Sequence, residues 1–189
     1  MEQTIKEIRL AADLQSDSIV DGPGLRSVIW TQGCSHHCPG CQNPQTWDFA
    51  GGGLVPIDMV LEAIDELEYQ DGITFSGGDP MFQPEACNII AEHCKKKGLN
   101  IWVYTGFTYE ELIKIAEKKP IYLEFLNKID VLVDGRFIEK ERDLNLLFRG
   151  SANQRLIDVP KTLKTGNIVL FDEAKYLGEE EPAGKPVYV

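Results

Sequence analysis

Three cysteines crowd into one short stretch, GCSHHCPGC, with three residues between Cys34 and Cys38 and two between Cys38 and Cys41. Thiols this close suit a metal centre better than a disulfide framework. A structural zinc site or a self-contained iron–sulfur site takes four protein ligands, so a set of three is either completed elsewhere in the chain or open at one position. Pro39 and Gly40 keep the loop from becoming a helix, and it must wrap its centre with backbone amides turned inward, as anion-binding nests do. Two chemistries meet these conditions. One is a [4Fe-4S] cluster whose fourth iron is left free to take the amine and carboxylate of a small molecule. The other is zinc with His36 or His37 as the fourth ligand, an arrangement the spacing disfavours because a histidine inside so short a loop closes a tetrahedron poorly. The other two cysteines, Cys87 and Cys94, lie about 10 Å apart along a predicted helix at about 1.5 Å per residue. That is beyond one disulfide, and they read as small buried apolar residues.

What positions the loop is a series of apolar, β-branched runs that each finish in glycine and polar neighbours. They are RSVIWTQGC (26–34), GITFSGGDP (72–80), NIWVYTGF (100–107), DVLVDGRF (130–137) and, less clearly, NIVLFDE (167–173). Each reads as a short buried strand. Helical patterns separate the first three. IDMVLEAIDELEYQ (57–70) repeats apolar residues at Ile57, Val60, Leu61, Ile64 and Leu67, and PEACNIIAEHCKKKG (84–98) opens on proline and stops at Gly98. Thr108 and Glu111 form a candidate capping box for a third helix, which Pro120 ends. Alternating strands and helices imply parallel βα units, whose ligands lie at the carboxyl ends of the strands, where all these polar corners fall. A closed eight-fold barrel takes about 250 residues, so a chain of 189 predicts an α/β fold with a partial, open (β/α) barrel of roughly five or six parallel strands. A doubly wound dinucleotide sheet fits less well, because GPGLR (22–26) precedes its strand and lacks the third glycine.

Composition sets the outer bounds. A hydrophobic share of 43% with 26% charged residues is that of an ordinary globular domain, placed at 1–177 and followed by an acidic, proline- and glycine-bearing tail at 178–189. A formal charge of −11 argues against nucleic acid as a partner, since phosphate binding needs clustered Lys and Arg. The start shows no signal-peptide pattern and no apolar run is long enough for a bilayer, so no membrane role and a cytoplasmic location are expected.

The loop CSHHCPGC after one strand and SGGDP (Ser76 to Pro80) after the next together resemble the radical S-adenosylmethionine superfamily. Within it, DGPGLR, CPGCQNPQTW, VYTGF, VDGRF and RGSANQR resemble the activating proteins of anaerobic ribonucleotide reductases, a likeness running from about Asp21 to about Val159. The resemblance implies that Cys34, Cys38 and Cys41 ligate three irons of a [4Fe-4S] cluster and that S-adenosyl-L-methionine chelates the fourth. It implies that Ser76, Gly77, Gly78 and Asp79 receive the cofactor's ammonium group, that Gly40, Cys41 and Gln42 lie against its adenosine, and that Asp134 and Arg136 meet ribose and carboxylate. The implied activity is an oxidoreductase that cleaves the cofactor reductively and leaves a glycyl radical on the large catalytic subunit of the reductase, fed by a low-potential donor such as flavodoxin or ferredoxin. Gly40 and Gln42 stand where similar proteins carry aromatic residues, which makes Trp47 a candidate substitute. Other readings are an activase of pyruvate formate-lyase type, a 7-carboxy-7-deazaguanine synthase-like enzyme, or a non-catalytic zinc-binding adaptor.

Overall fold

The structure, a computed structural model, describes residues 5–176; the tail expected at 178–189 lies outside them. One eight-stranded sheet carries the fold. In chain order the strands and helices are β1 (Glu7–Leu10), β2 (Gln15–Ser18), β3 (Arg26–Thr31), β4 (Gly53–Pro56), α1 (Ile57–Asp65), β5 (Gly72–Gly77), α2 (Pro84–Lys96), β6 (Asn100–Tyr104), α3 (Tyr109–Ala116), α4 (Ile121–Leu126), β7 (Val131–Asp134), β8 (Arg155–Asp158) and α5 (Val159–Thr165). The centre is parallel, β3-β5-β6-β7. Antiparallel strands flank it: β1 and β4 beyond one edge, β2 also on β3, and β8 on β7.

The α/β class therefore stands, with four parallel strands in place of the five or six expected. A parallel neighbour needs a crossover connection, usually a helix. Between β7 and β8 the chain makes only the 3-10 turn Glu139–Glu141, and β8 comes back antiparallel. NIVLFDE forms no strand; its single ladder contact is a bridge from Leu170 to Ile157. Two helical expectations also shift. The helix starting at Ile57 ends at Asp65, short of position 70, and Pro120 opens α4 as well as closing the segment before it. The capping box on α3 forms as read: Thr108 Oγ1 accepts from the Glu111 amide and Glu111 returns to the Thr108 amide.

Strand alternation sorts the core into two layers. Ile101, Val103 and Leu132 join Ile29, Ile73 and Phe75 in the layer packed on the helices, with Cys87, Ile90 and Cys94 from α2. Both α2 cysteines are fully buried, as expected. Trp102, Val131, Val133 and Leu156 face the other way and fill the concave side with Phe148 and Phe171. Beneath Trp102, buried Arg26 spends its guanidinium on Thr74, Asn100 and the Ile73 carbonyl, plugging the amino-terminal end of the half-barrel. The carboxyl-terminal end is left open.

Candidate functional site

At that open end a cleft of about 370 Å³ is lined by Cys34, Cys38 and Cys41 together with Ser76, Gly77, Gly78 and Asp79. The register explains why these two motifs meet. β3 and β5 run parallel with Thr31 beside Gly77, so the cysteine loop and the SGGDP corner leave the sheet side by side. They then bond backbone to backbone: the Gly78 amide donates to the Thr31 carbonyl (2.7 Å) and the Asp79 amide to the Gly33 carbonyl (3.0 Å). A methyl on Gly78 would sit 2.6 Å from the Gly33 carbonyl oxygen and one on Gly77 2.6 Å from that of Thr31. The glycine pair is required by this close approach of two chain segments. Gly77 also sits at φ +97°, in the left-handed region.

The loop itself is pinned at both ends. The Gly33 amide donates to the Thr46 carbonyl and the Cys34 amide to that of Trp47, while the Cys41 amide turns back to the Cys38 carbonyl. The Asn43 amide donates to Cys41 Sγ at 3.4 Å, an amide turned towards sulfur as a nest requires. Cys34 is buried and its thiol is pushed up to about 11 by burial, against the lowering pull of the His36 backbone amide. Burial raises the Cys38 thiol as well, opposed by the Phe137 amide.

A four-iron cluster fits this donor set. Among the described residues no three His, Cys, Asp or Glu side chains converge closely enough to hold one metal ion, and the three thiols line a cleft whose size is that of a small-molecule site, about 300–1,000 Å³. The zinc alternative finds no such convergent set among the described residues; His36 Nε2 donates to Asp79 Oδ2 (2.8 Å), and His37 packs edge-on against Trp47 at 4.8 Å between centroids.

Asp79 is built in more tightly than its position after two glycines indicates. It is 1% exposed, and its carboxylate accepts from the Met81 amide, Thr105 Oγ1, the Gly106 amide and His36 Nε2. Those partners fix the carboxylate in place, one on Oδ1 and three on Oδ2, and Asp79 lines the cleft beside Gly78. The sequence offered His36 only as a zinc ligand that the spacing disfavours. No local pattern announces a partner 43 positions away.

Gln42 and Trp47 line the cleft, whereas Gly40, Asp134 and Arg136 do not. The last two follow from strand alternation: Gly135 and Phe137 face the cleft, so their neighbours face away. Asp134, 1% exposed, caps α3 by accepting from the Tyr109 amide and pairs with Arg155 opposite it on β8, which also reaches Glu110. Arg136 is exposed on a neighbouring depression. Gly40 is an exposed turn at φ +74° beside Glu139. Sequence reasoning left Arg149 without a role; it lines the cleft and pairs through both terminal nitrogens with Glu173.

This site, three cysteines and a glycine turn at the carboxyl ends of parallel strands, defines a single-cluster iron–sulfur protein. The sequence model of the family described as "4Fe-4S single cluster domain" matches residues 20–157. Anaerobic ribonucleoside-triphosphate reductase-activating proteins are 37% identical in Salmonella typhi over 144 residues and 35% identical in Escherichia coli K12, each match covering 72% of this chain and 90% of the relative. That of Enterobacteria phage T4 is 36% identical, over 72% of this chain and 86% of its own length. The chain belongs to this family of reductase-activating proteins. Among solved structures, QueE from Escherichia coli aligns at 16% identity and a TM-score of 0.44, over 54% of this chain and 53% of that one.

Proposed function

We propose that this protein is a radical S-adenosylmethionine activase: it holds a [4Fe-4S] cluster on Cys34, Cys38 and Cys41, binds S-adenosylmethionine at the open iron, and generates a glycyl radical on the catalytic subunit of anaerobic ribonucleotide reductase. The observation that carries this reading is the backbone-to-backbone seam that places the cysteine loop and the Ser76–Asp79 turn on one cleft. The relatives' names supply the reductase as partner.

When bound, the cluster and cofactor would supply one-electron reductive cleavage of a sulfonium to methionine, and with it the power to remove a hydrogen atom from a glycine Cα, the hydrogen leaving in 5′-deoxyadenosine. The electron comes from a low-potential donor of the flavodoxin or ferredoxin class. Everything else falls to this chain. Ser76 and Gly77 present backbone acceptors at the strand end for an ammonium group, on a turn that buried Asp79 keeps rigid. Gln42 and the face of Trp47 offer a hydrogen-bonding and a flat apolar surface for the adenosine end of the ligand. Phe137 and Phe148 wall the cleft against water. Residues 1–177 act as one domain, and the location is cytoplasmic.

Anaerobic reconstitution tests the reading. The protein should take up iron and sulfide, and after reduction convert S-adenosylmethionine to methionine and 5′-deoxyadenosine on product chromatography. Cys34→Ala, Cys38→Ala and Cys41→Ala should each abolish loading, while Cys87→Ala and Cys94→Ala keep it. Full loading in any of the three loop variants, or a reducible cluster that never cleaves the cofactor, would refute it.

A further inference from the structure

The electron that cleaves the cofactor has to reach the cysteine loop from outside, and the mouth of the cleft is needed for the cofactor and for the glycine it acts on. A second approach exists. Beside α3 and the turn into α4, a depression of about 540 Å³ is lined by half-buried Phe107 and Ile115, by buried Tyr122 and by the exposed Lys114, Lys118 and Lys119. The Phe107 ring meets His36 edge-on at 4.7 Å between centroids, and His36, with a side chain only 5% exposed, lies between Cys34 and Cys38. Two aromatic rings in contact thus connect this depression to the cysteine loop. The charge here runs against that of the molecule. In a chain with 30 acidic and 19 basic residues, three lysines face two carboxylates, Glu111 and Glu117, and the Glu111 carboxylate is already held by the Thr108 amide. The lysines are also unspent: Lys95, Lys96, Lys97 and Lys128 each pair with a carboxylate, whereas among the described residues Lys114, Lys118 and Lys119 pair with none.

We propose that this depression is the docking site of an acidic one-electron donor protein: Lys114, Lys118 and Lys119 take carboxylates from the donor's surface, and the electron enters by way of the Phe107–His36 contact. The step moves one electron from the donor to the oxidised cluster, with no bond made or broken, and leaves the donor oxidised by one electron. Charge complementarity identifies the occupant, since unpaired lysines on an otherwise acidic chain attract a partner of negative surface and steer its approach. A small, partly apolar depression suits the brief encounters of redox partners, whose interfaces lie below about 1,200 Å². The inference rests on the cluster reading above. A merely solvated lysine face predicts no selectivity between donors; a dock predicts that its loss slows a protein donor and spares a small-molecule one.

The test uses an acidic flavodoxin as the probe and dithionite as a donor that needs no dock. Anaerobically reconstituted wild type is compared with Lys114→Glu/Lys118→Glu/Lys119→Glu and with Lys96→Glu/Lys161→Glu/Lys164→Glu, which makes the same change of net charge on α2 and α5. At low ionic strength, stopped-flow absorbance should show flavodoxin reducing the first variant about tenfold or more slowly than wild type. The gap should narrow at about 0.15 M salt, where the Debye length is about 8 Å. Dithionite should reduce all three proteins alike. Carbodiimide, which joins amines to carboxylates, gives a readout independent of the cluster: in the metal-free protein, peptide mapping should find flavodoxin coupled at Lys114, Lys118 or Lys119. Reduction of the first variant by flavodoxin at the wild-type rate overturns the dock, as do equal slowing in the second variant, equal slowing with dithionite, a gap indifferent to salt, or coupling confined to other lysines. Wild type that takes up no iron or sulfide overturns the functional reading instead, and the coupling sites in the metal-free protein then decide by themselves whether this face receives an acidic protein.

Discussion

Asp79→Ala should destabilise the metal-free protein severely. Its carboxylate accepts two backbone amides, from Met81 and Gly106, each at 2.9 Å, besides His36 and the Thr105 hydroxyl. Alanine supplies no acceptor. The hydroxyl can rotate to another acceptor, but the amides are fixed by the chain, and a buried donor left without a partner costs about 1–3 kcal/mol. Two of them give roughly 2–6 kcal/mol, and water entering the vacated space brings the expectation to about 3–4 kcal/mol. A domain has about 5–15 kcal/mol in total. With a urea m-value near 2 kcal/mol/M, the unfolding midpoint should fall by about 1.5–2 M. Asp79→Asn keeps one acceptor oxygen and should lose about half as much. The assay is urea unfolding of the metal-free protein followed by circular dichroism. A midpoint for Asp79→Ala within about 0.3 M of wild type would refute the reasoning and return the carboxylate to direct ligand contact.

Two further outcomes follow from packing and burial. Gly78→Ala drives a methyl against the Gly33 backbone at 2.6 Å, where neither segment is a flexible side chain; it should cost about 1–3 kcal/mol as overpacking and lower iron uptake, and wild-type values of both would contradict the seam. In metal-free protein at pH 8, iodoacetamide should label the part-exposed Cys38 and Cys41 first, Cys34 slowly, and Cys87 and Cys94 not at all, since burial holds the Cys94 thiol up at about 12 and raises that of Cys87. Peptide mapping reads the order, and labelling of Cys94 at the rate of Cys41 would contradict it.

The chemistry was the most legible part of the sequence, because it lies in short motifs at strand ends. Cys34, Cys38 and Cys41 are set by spacing, and the central strands by apolar runs that register reading places side by side. The flanking strands were silent for a physical reason. β2, QSDS, has no apolar residue, and β1 and β4 are four residues each; β1 and β2 form because β3 offers an unpaired edge, and β4 then pairs with β1. Conversely, the apolar run at 167–173 forms no strand beyond the isolated bridge at Leu170 and contributes Phe171 to the cluster around Trp102. The direction of side chains near a strand end was also beyond sequence: a one-residue difference in where β7 stops decides whether Asp134 or Gly135 faces the cleft. His36 shows the same limit, since its burial depends on Phe82, Phe107 and Asp79 arriving from two other corners.

The most direct test mixes the reconstituted, reduced protein with S-adenosylmethionine and the catalytic subunit of an anaerobic ribonucleotide reductase under strict anaerobiosis, then records the electron paramagnetic resonance spectrum of the reductase. A stable glycyl-radical signal should grow with wild type and be absent with Cys38→Ala. A reductase that stays radical-free beside a protein that is loaded, reduced and actively cleaving the cofactor would contradict the assignment of its partner.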